Sequence, residues 1–176
     1  TGFYRTGKPF ALEKINHTPD ILCLSKELTG GFLPLALTVS SEQIFKAFLG
    51  EHFSQALAHG HSYTANPFGC AAGIASLKLL KDDATKTKIK SISKLHKNFL
   101  NTLMDTYPKL IKAPRSLGTI VAFNLFKETN DYNFKQTAIL KKKFLEKNLL
   151  IRPLGNTVYL LPPYCITEKQ LQRTYD

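Results

Sequence analysis

No stretch of the chain approaches the eighteen or so consecutive apolar residues that a membrane-spanning helix requires, so no membrane partner is expected. Cysteine is scarce. Cys23, Cys70 and Cys165 lie far apart among apolar or small residues, which predicts reduced core thiols and a cytoplasmic location. There is no CxxC pair and no cluster of His and Cys, so no metal centre is expected. The sequence opens Thr1-Gly2-Phe3-Tyr4-Arg5, with neither methionine nor a secretion-signal pattern, and reads as the C-terminal portion of a longer polypeptide, beginning partway along it. Internal repeats and low-complexity tracts are missing too.

Acidic residues are few: 13 Asp and Glu stand against 24 Lys and Arg, a formal net charge of +11. That balance raises nucleic acid as a partner. The lysines nevertheless fall on two expected helices, Lys86, Lys88, Lys90, Lys94 and Lys97 on one and Lys141, Lys142, Lys143 and Lys147 on the other. This is the pattern of solvated helix faces. Aromatic residues do not interleave with basic ones as in single-strand binders, and no nucleic-acid module is present, so nucleic acid is not an expected partner. What the chain does have is 43% hydrophobic residues over 176 positions, enough for a core in one domain or two small ones.

The order of elements predicts an α/β portion over residues 1–85 and a connector helix with a small α+β unit over 86–176. The charged stretch Lys81-Asp82-Asp83-Ala84-Thr85-Lys86 divides them. Before it, residues 21–25 and 35–40 read as strands, and 41–49 as a helix capped by Ser41. A His- and Gly-rich loop over 50–65 leads to Asn66, expected to cap a long helix with Pro67 in its first turn. After the divide, Ile89, Ile92, Leu95, Phe99, Leu103 and Tyr107 recur at helical spacing, with Pro108 as the stop. Residues 119–126 read as a strand and 133–148 as a helix. Residues 149–152 and 157–161 read as strands joined across Gly155-Asn156, and a last helix starts near Thr167.

Lys26 carries the chemistry. It closes the apolar run Ile21-Leu22-Cys23-Leu24-Ser25 and is followed by Glu27-Leu28-Thr29-Gly30-Gly31. A lysine at the end of a buried strand is expected to be desolvated, which favours the free amine that attacks an aldehyde to form a Schiff base. Gly30 and Gly31 allow positive φ or close approach of backbone to a ligand. Taken alone, Lys26 reads better as an ordinary surface lysine before a turn.

Three segments in order give it context: residues 1–8 (Thr-Gly-Phe-Tyr-Arg-Thr-Gly-Lys), residues 19–31 around Lys26, and Gly60-His61-Ser62-Tyr63-Thr64-Ala65-Asn66-Pro67. Together they resemble the class III aminotransferases, pyridoxal-phosphate enzymes of fold type I. The resemblance runs through the whole chain. It implies the end of a large mixed-sheet cofactor domain followed by a small α+β domain, in a homodimer whose active site is shared between subunits. It further implies that Lys26 is the catalytic lysine, binding pyridoxal 5'-phosphate covalently and then carrying a proton, and that Ser62 hydrogen-bonds the cofactor phosphate of the partner subunit.

The tail Ile151-Arg152-Pro153-Leu154-Gly155-Asn156-Thr157-Val158-Tyr159-Leu160-Leu161-Pro162-Pro163-Tyr164 is similar to one branch of the family, in biotin biosynthesis. That branch uses S-adenosylmethionine as donor and 7-keto-8-aminopelargonate as acceptor. The likeness implies that Arg152 binds the acceptor carboxylate, for which a planar guanidinium fork is suited. It also implies that Tyr159, Gly60 and Arg5 border the substrate. The bland alternatives are a turn-capping hydroxyl at Ser62, a surface ion pair at Arg152, a core tyrosine at Tyr159 and a helix-terminal or surface role for Arg5. Ornithine, acetylornithine or 4-aminobutyrate activity is the rival within the family, and a catalytically silent fragment the rival outside it. Ser25 and Glu27 depart from the family's small residues beside the lysine. The family's aspartate for the pyridine nitrogen, its phosphate-binding loop and its ring-stacking aromatic match no position here, so the resemblance implies part of an active site. His59 and His61 have no role in it, and His17 and His52 read as loop or surface residues.

Overall fold

The computed structural model describes residues 2–125 and 136–176. They form two compact units: the residues up to Phe3 with Phe10–Asp82, and Tyr4–Pro9 with Asp83–Asp176.

In the first unit, β1 (Ile21–Leu24) pairs antiparallel with β2 (Leu37–Ser40), Ile21 opposite Ser40 and Leu24 opposite Leu37. Helix α1 (Glu42–Lys46) follows, capped by the Ser41 hydroxyl, which accepts from the Ile44 amide at 3.5 Å. It ends three residues short of the sequence expectation. Helix α2 (Pro67–Lys81) begins where expected, with Asn66 Oδ1 accepting from the Gly69 amide at 2.7 Å and Pro67 filling a position whose N–H has no helical partner.

In the second unit, α3 (Asp83–Thr106) buries Ile89, Ile92, His96 and Leu100 along one stripe, while Lys88, Lys90, Lys94 and Lys97 stay exposed. The stripe packs on a three-stranded antiparallel sheet in the order β3 (Ile111–Leu117), β4 (Ile120–Leu125), β5 (Thr157–Leu160). Central β4 buries Val121, Ala122 and Phe123 in succession, whereas β5 alternates, Val158 and Leu160 inward and Tyr159 outward. Helices α4 (Gln136–Glu146) and α5 (Glu168–Tyr175) complete the unit, α5 opening on a Thr167–Gln170 capping box. Lys141, Lys142 and Lys143 on α4 are exposed, as a solvated face requires. The expected strand end at Phe126 and helix start over 133–135 lie outside the described residues.

Two expectations are corrected, and one strand was not expected. The arm at 149–152 is no strand: Pro153 has no N–H for a ladder, so the hairpin shrinks to one bridge, Leu154 and Thr157 exchanging two 2.9 Å hydrogen bonds across Gly155-Asn156. Strand β3 went unread because its sequence, Ile-Lys-Ala-Pro-Arg-Ser-Leu, is polar and contains Pro114. A bulge absorbs that proline, with Ala113 and Pro114 opposing the single residue Phe123 between the Lys112–Asn124 and Arg115–Ala122 pairs. The cysteines are not all core: Cys23 sits at an open position of a ribbon with one partner strand, Cys165 in the turn before α5, and only Cys70 is half-buried.

The second unit is tied together at His96, fully buried on α3. Its Nε2 lies 3.1 Å from the Thr119 carbonyl, which can only accept, so Nε2 carries the proton. Nδ1 lies 2.7 Å from the Tyr175 hydroxyl, from which it accepts in the neutral imidazole that burial favours. Burial holds its pKa below the ordinary 6.5, although the Thr119 bond opposes this, and burial likewise raises the Tyr175 pKa. Below about pH 6.5 the unfolded chain binds a proton that the folded one resists, so this contribution is complete above that value and is lost as pH falls towards the folded pKa. Urea titrations from about pH 7.5 to about pH 5 should show a falling midpoint, and the fall should be shallower in His96→Gln.

Candidate active site

Lys26 stands where β1 stops. Ser25 is extended, and Lys26 turns to φ 52°, opening a single 3-10 turn over Lys26–Thr29. The Leu28 amide donates to the Ser25 carbonyl (3.2 Å) and the Gly30 amide to the Glu27 carbonyl (2.9 Å), closing the turn, and Gly30 and Gly31 leave it at φ 64° and 79°. Of the two uses foreseen for the glycines, positive φ is the one observed. A lysine there has no such freedom, and the conformation costs roughly 1–2 kcal/mol.

Neighbouring packing holds it. Leu28 and Thr29 are buried, and the Thr29 hydroxyl donates to the Leu33 carbonyl. On α2, Ser76 Oγ donates to the Glu27 carbonyl at 3.2 Å, and an added Cβ on Gly73 would lie 3.7 Å from the Leu28 oxygen and 3.6 Å from Leu35 Cδ2. The small residues of α2 thus let a helix lie directly on the turn that presents Lys26.

Burial of Lys26 is not observed. Its side chain is exposed, because β1 pairs only with β2 among the described residues and the ribbon leaves β1 half open. Among those residues it makes neither hydrogen bond nor ion pair. What sets it apart is its backbone conformation and an uncommitted amine.

Gly60 and Ser62 are exposed in the loop before α2. The Ser62 hydroxyl caps nothing among the described residues. Instead the turn is closed by the Thr64 hydroxyl, accepting from the His61 amide at 3.0 Å, and by His61 Nδ1, accepting from the Tyr63 amide at 3.2 Å. From Asn66, which starts α2, to Ser76, which meets the Lys26 turn, is ten residues, or about 15 Å of helix.

Arg152 and Tyr159 come together in the second unit, lining one cavity of about 500 Å³ with Pro162 and Pro163. Alternation along β5 aims Tyr159 away from buried Val158 and Leu160, so it is not a core tyrosine. Arg152 is exposed between buried Ile151 and Pro153 and makes no ion pair among the described residues. Arg5 is engaged beside this cavity: Nη1 donates to the Pro162 carbonyl at 2.7 Å, and the guanidinium lies 4.3 Å from the centre of the Tyr164 ring. No group of three or more potential metal ligands occurs among the described residues.

Comparison with known proteins shows the family. The profile described as Aminotransferase class-III matches residues 1–176. The chain belongs to the class III aminotransferases. It is 44% identical over 175 residues to the adenosylmethionine-8-amino-7-oxononanoate aminotransferase of Synechococcus elongatus, covering 99% of this chain and 40% of that protein. The crystal structure of the like-named enzyme from Methanocaldococcus jannaschii superposes with a TM-score of 0.83 at 37% identity, over 99% of this chain and 42% of that one. A PLP-bound amine transaminase from an uncultivated Pseudomonas species superposes at 0.85 with 27% identity, over 99% and 40%. The fold is the fold-type-I α/β architecture of such transferases, and the chain spans about 40% of the length of the curated relatives it matches.

Sequence reasoning passed over His96 and took Thr119 and Gly118 only as the start of a strand and the residue before it. A histidine four residues from both Ile92 and Leu100 on an apolar stripe was the available signal. At Gly118, φ is 60° and an added Cβ would lie 2.3 Å from Gly7 N and 2.5 Å from Arg5 O. Gly118→Ala in this aminotransferase chain should therefore destabilise by more than about 1 kcal/mol in urea unfolding, while Gly73→Ala, at ordinary contact distances, is neutral or stabilising.

Proposed function

We propose that the chain supplies the lysine and the acceptor-binding arginine of a pyridoxal-phosphate enzyme that aminates 8-amino-7-oxononanoate (7-keto-8-aminopelargonate) with S-adenosylmethionine as donor. The carrying observation is Lys26: a non-glycine residue held at φ 52° by a packed turn, its amine exposed and unpaired among the described residues, in a chain of this family. The names of its relatives, at 44% and 37% identity, support the substrate pair, and that of a rice bifunctional relative supports the dethiobiotin-forming context.

The residues present fit the cofactor. An amine that attacks an aldehyde must be free of an ion pair, and a hydroxyl that binds phosphate must not be spent on a turn; Lys26 and Ser62 meet these conditions. Pyridoxal phosphate, when bound, supplies the electron sink that stabilises charge on the substrate carbon. Lys26 Nζ takes a proton from that carbon and returns one. Arg152 offers two parallel N–H donors to the acceptor carboxylate and so fixes the orientation of the bound molecule. Tyr159 walls the same cavity, and Gly60, lacking a side chain, leaves room for backbone to border the substrate.

The roughly 15 Å of α2 between the Ser62 loop and the Lys26 turn supports Ser62 serving the site of a second copy, and hence a homodimer. Exposed, unpaired Cys23 and Cys165 favour a reducing, cytoplasmic setting.

Borohydride reduction of the full-length, cofactor-loaded protein, then peptide mapping, should fix the cofactor on Lys26; label on another lysine overturns the assignment. Lys26→Ala should lower kcat by about 10²- to 10⁴-fold. Arg152→Ala should raise KM for the acceptor roughly 10- to 100-fold, the loss of charge-assisted hydrogen bonds, with Arg152→Lys restoring part of it. Turnover with ornithine or 4-aminobutyrate and none with S-adenosylmethionine would instead assign the chain to another class III activity.

A further inference from the structure

The cavity bearing Arg152 and Tyr159 has a wall, Pro162, that no ladder hydrogen bond holds. Strand β5 ends at Leu160, and neither Pro162 nor Pro163 has an N–H to donate. The position of Pro162 is set from outside by its carbonyl, which accepts from Arg5 Nη1 at 2.7 Å, and by Tyr164, over which the same guanidinium lies.

Arg5 is itself held at its backbone. Its carbonyl accepts from the Thr119 amide at 2.9 Å and from the Thr119 hydroxyl at 3.3 Å. Thr119 is fully buried, and its own carbonyl accepts from His96 Nε2 at 3.1 Å. The path therefore runs without a gap from α3 to the cavity wall, every member lying in the second unit. Within the same unit the turn carrying Arg5 is closed by the Tyr4 amide donating to the Pro9 carbonyl at 3.1 Å and the Gly7 amide donating to the Tyr4 carbonyl at 2.8 Å.

We infer that His96 is a positioning residue for this cavity, acting through Thr119 and Arg5 on the Pro162 wall. It touches no substrate, and the inference rests on the cavity being the acceptor site. Its two nitrogens have separable duties: Nδ1 meets Tyr175 on α5, and Nε2 alone faces the path to Arg5.

The test uses three variants of the full-length enzyme. His96→Gln places an amide N–H near the position of Nε2 and keeps the Thr119 link. His96→Asn places an acceptor near Nδ1 and loses that link, and Tyr175→Phe removes only the other bond. Amide hydrogen exchange within 160–164, read at Leu161 and Tyr164 on either side of the two prolines, should rise about tenfold in His96→Asn, as for loss of one buried hydrogen bond, and stay near wild type in the other two. Acceptor KM should rise in parallel, with donor KM and kcat held within about twofold. Thr119→Val, which lacks the hydroxyl bond to Arg5, should move both readouts in the same direction and serves if His96→Asn does not fold.

A merely structural histidine would lower stability in all three variants and leave the exchange pattern at 160–164 alike among them; that result overturns the inference. Raised exchange with unchanged acceptor KM overturns it as well. If the wild-type enzyme does not turn over the acceptor, the reading of the cavity fails, while the exchange data still decide whether His96 sets the wall.

Discussion

A neutral imidazole buried against the sheet is the constraint on which the second unit depends. His96 has two polar atoms out of water, and each must find a partner or cost on the order of 1–3 kcal/mol. The partners chosen, Tyr175 and Thr119, belong to α5 and to the β3–β4 turn, so satisfying one residue of α3 fixes two other elements. Phe99 extends the tie by stacking on the Tyr175 ring, the centroids 4.2 Å apart and the planes 9° from parallel. Hydrophobic contacts in this core tolerate small slides. Three hydrogen-bonded elements meeting at one ring do not.

The first unit solves the opposite problem, presenting a group instead of burying one. Lys26 is placed by a turn whose conformation is unfavourable for any side chain and is retained because α2 lies against it. The residues that face the turn, Gly73 and Ser76, are small, and Ser76 bonds the Glu27 carbonyl directly. The small-residue stretch of α2 thus has a packing role that bears on the chemistry, since it determines where a distant amine points.

Elements announced by local chemistry were legible in the sequence. Asn66-Pro67 and Ser41 mark helix starts by capping, Pro108 marks a helix end, and Gly155-Asn156 marks a turn, because each acts through its nearest neighbours. Lys26 was legible for its position, yet its environment was not: the apolar run before it suggested burial, while exposure of a strand depends on how many strands flank it. Strand β3 was hidden because its identity comes from pairing with β4, not from its own residues. His96 and Thr119 are 23 residues apart, and their contact follows from packing a helix on a sheet, which periodicity does not specify.

The proline that concealed β3 has a further effect. Among the described residues β3 and β5 are the outer strands of the three-stranded sheet, and an outer strand is where another extended chain can dock. On one side, Pro114 removes a donor and the bulge at Ala113 twists the strand out of line; on the other, Pro162 and Pro163 follow directly after Leu161. Neither margin offers a long, regular template for recruiting a further strand. A basic polypeptide with a small sheet is thereby protected from edge-to-edge aggregation at the two places where the sheet is most open to it.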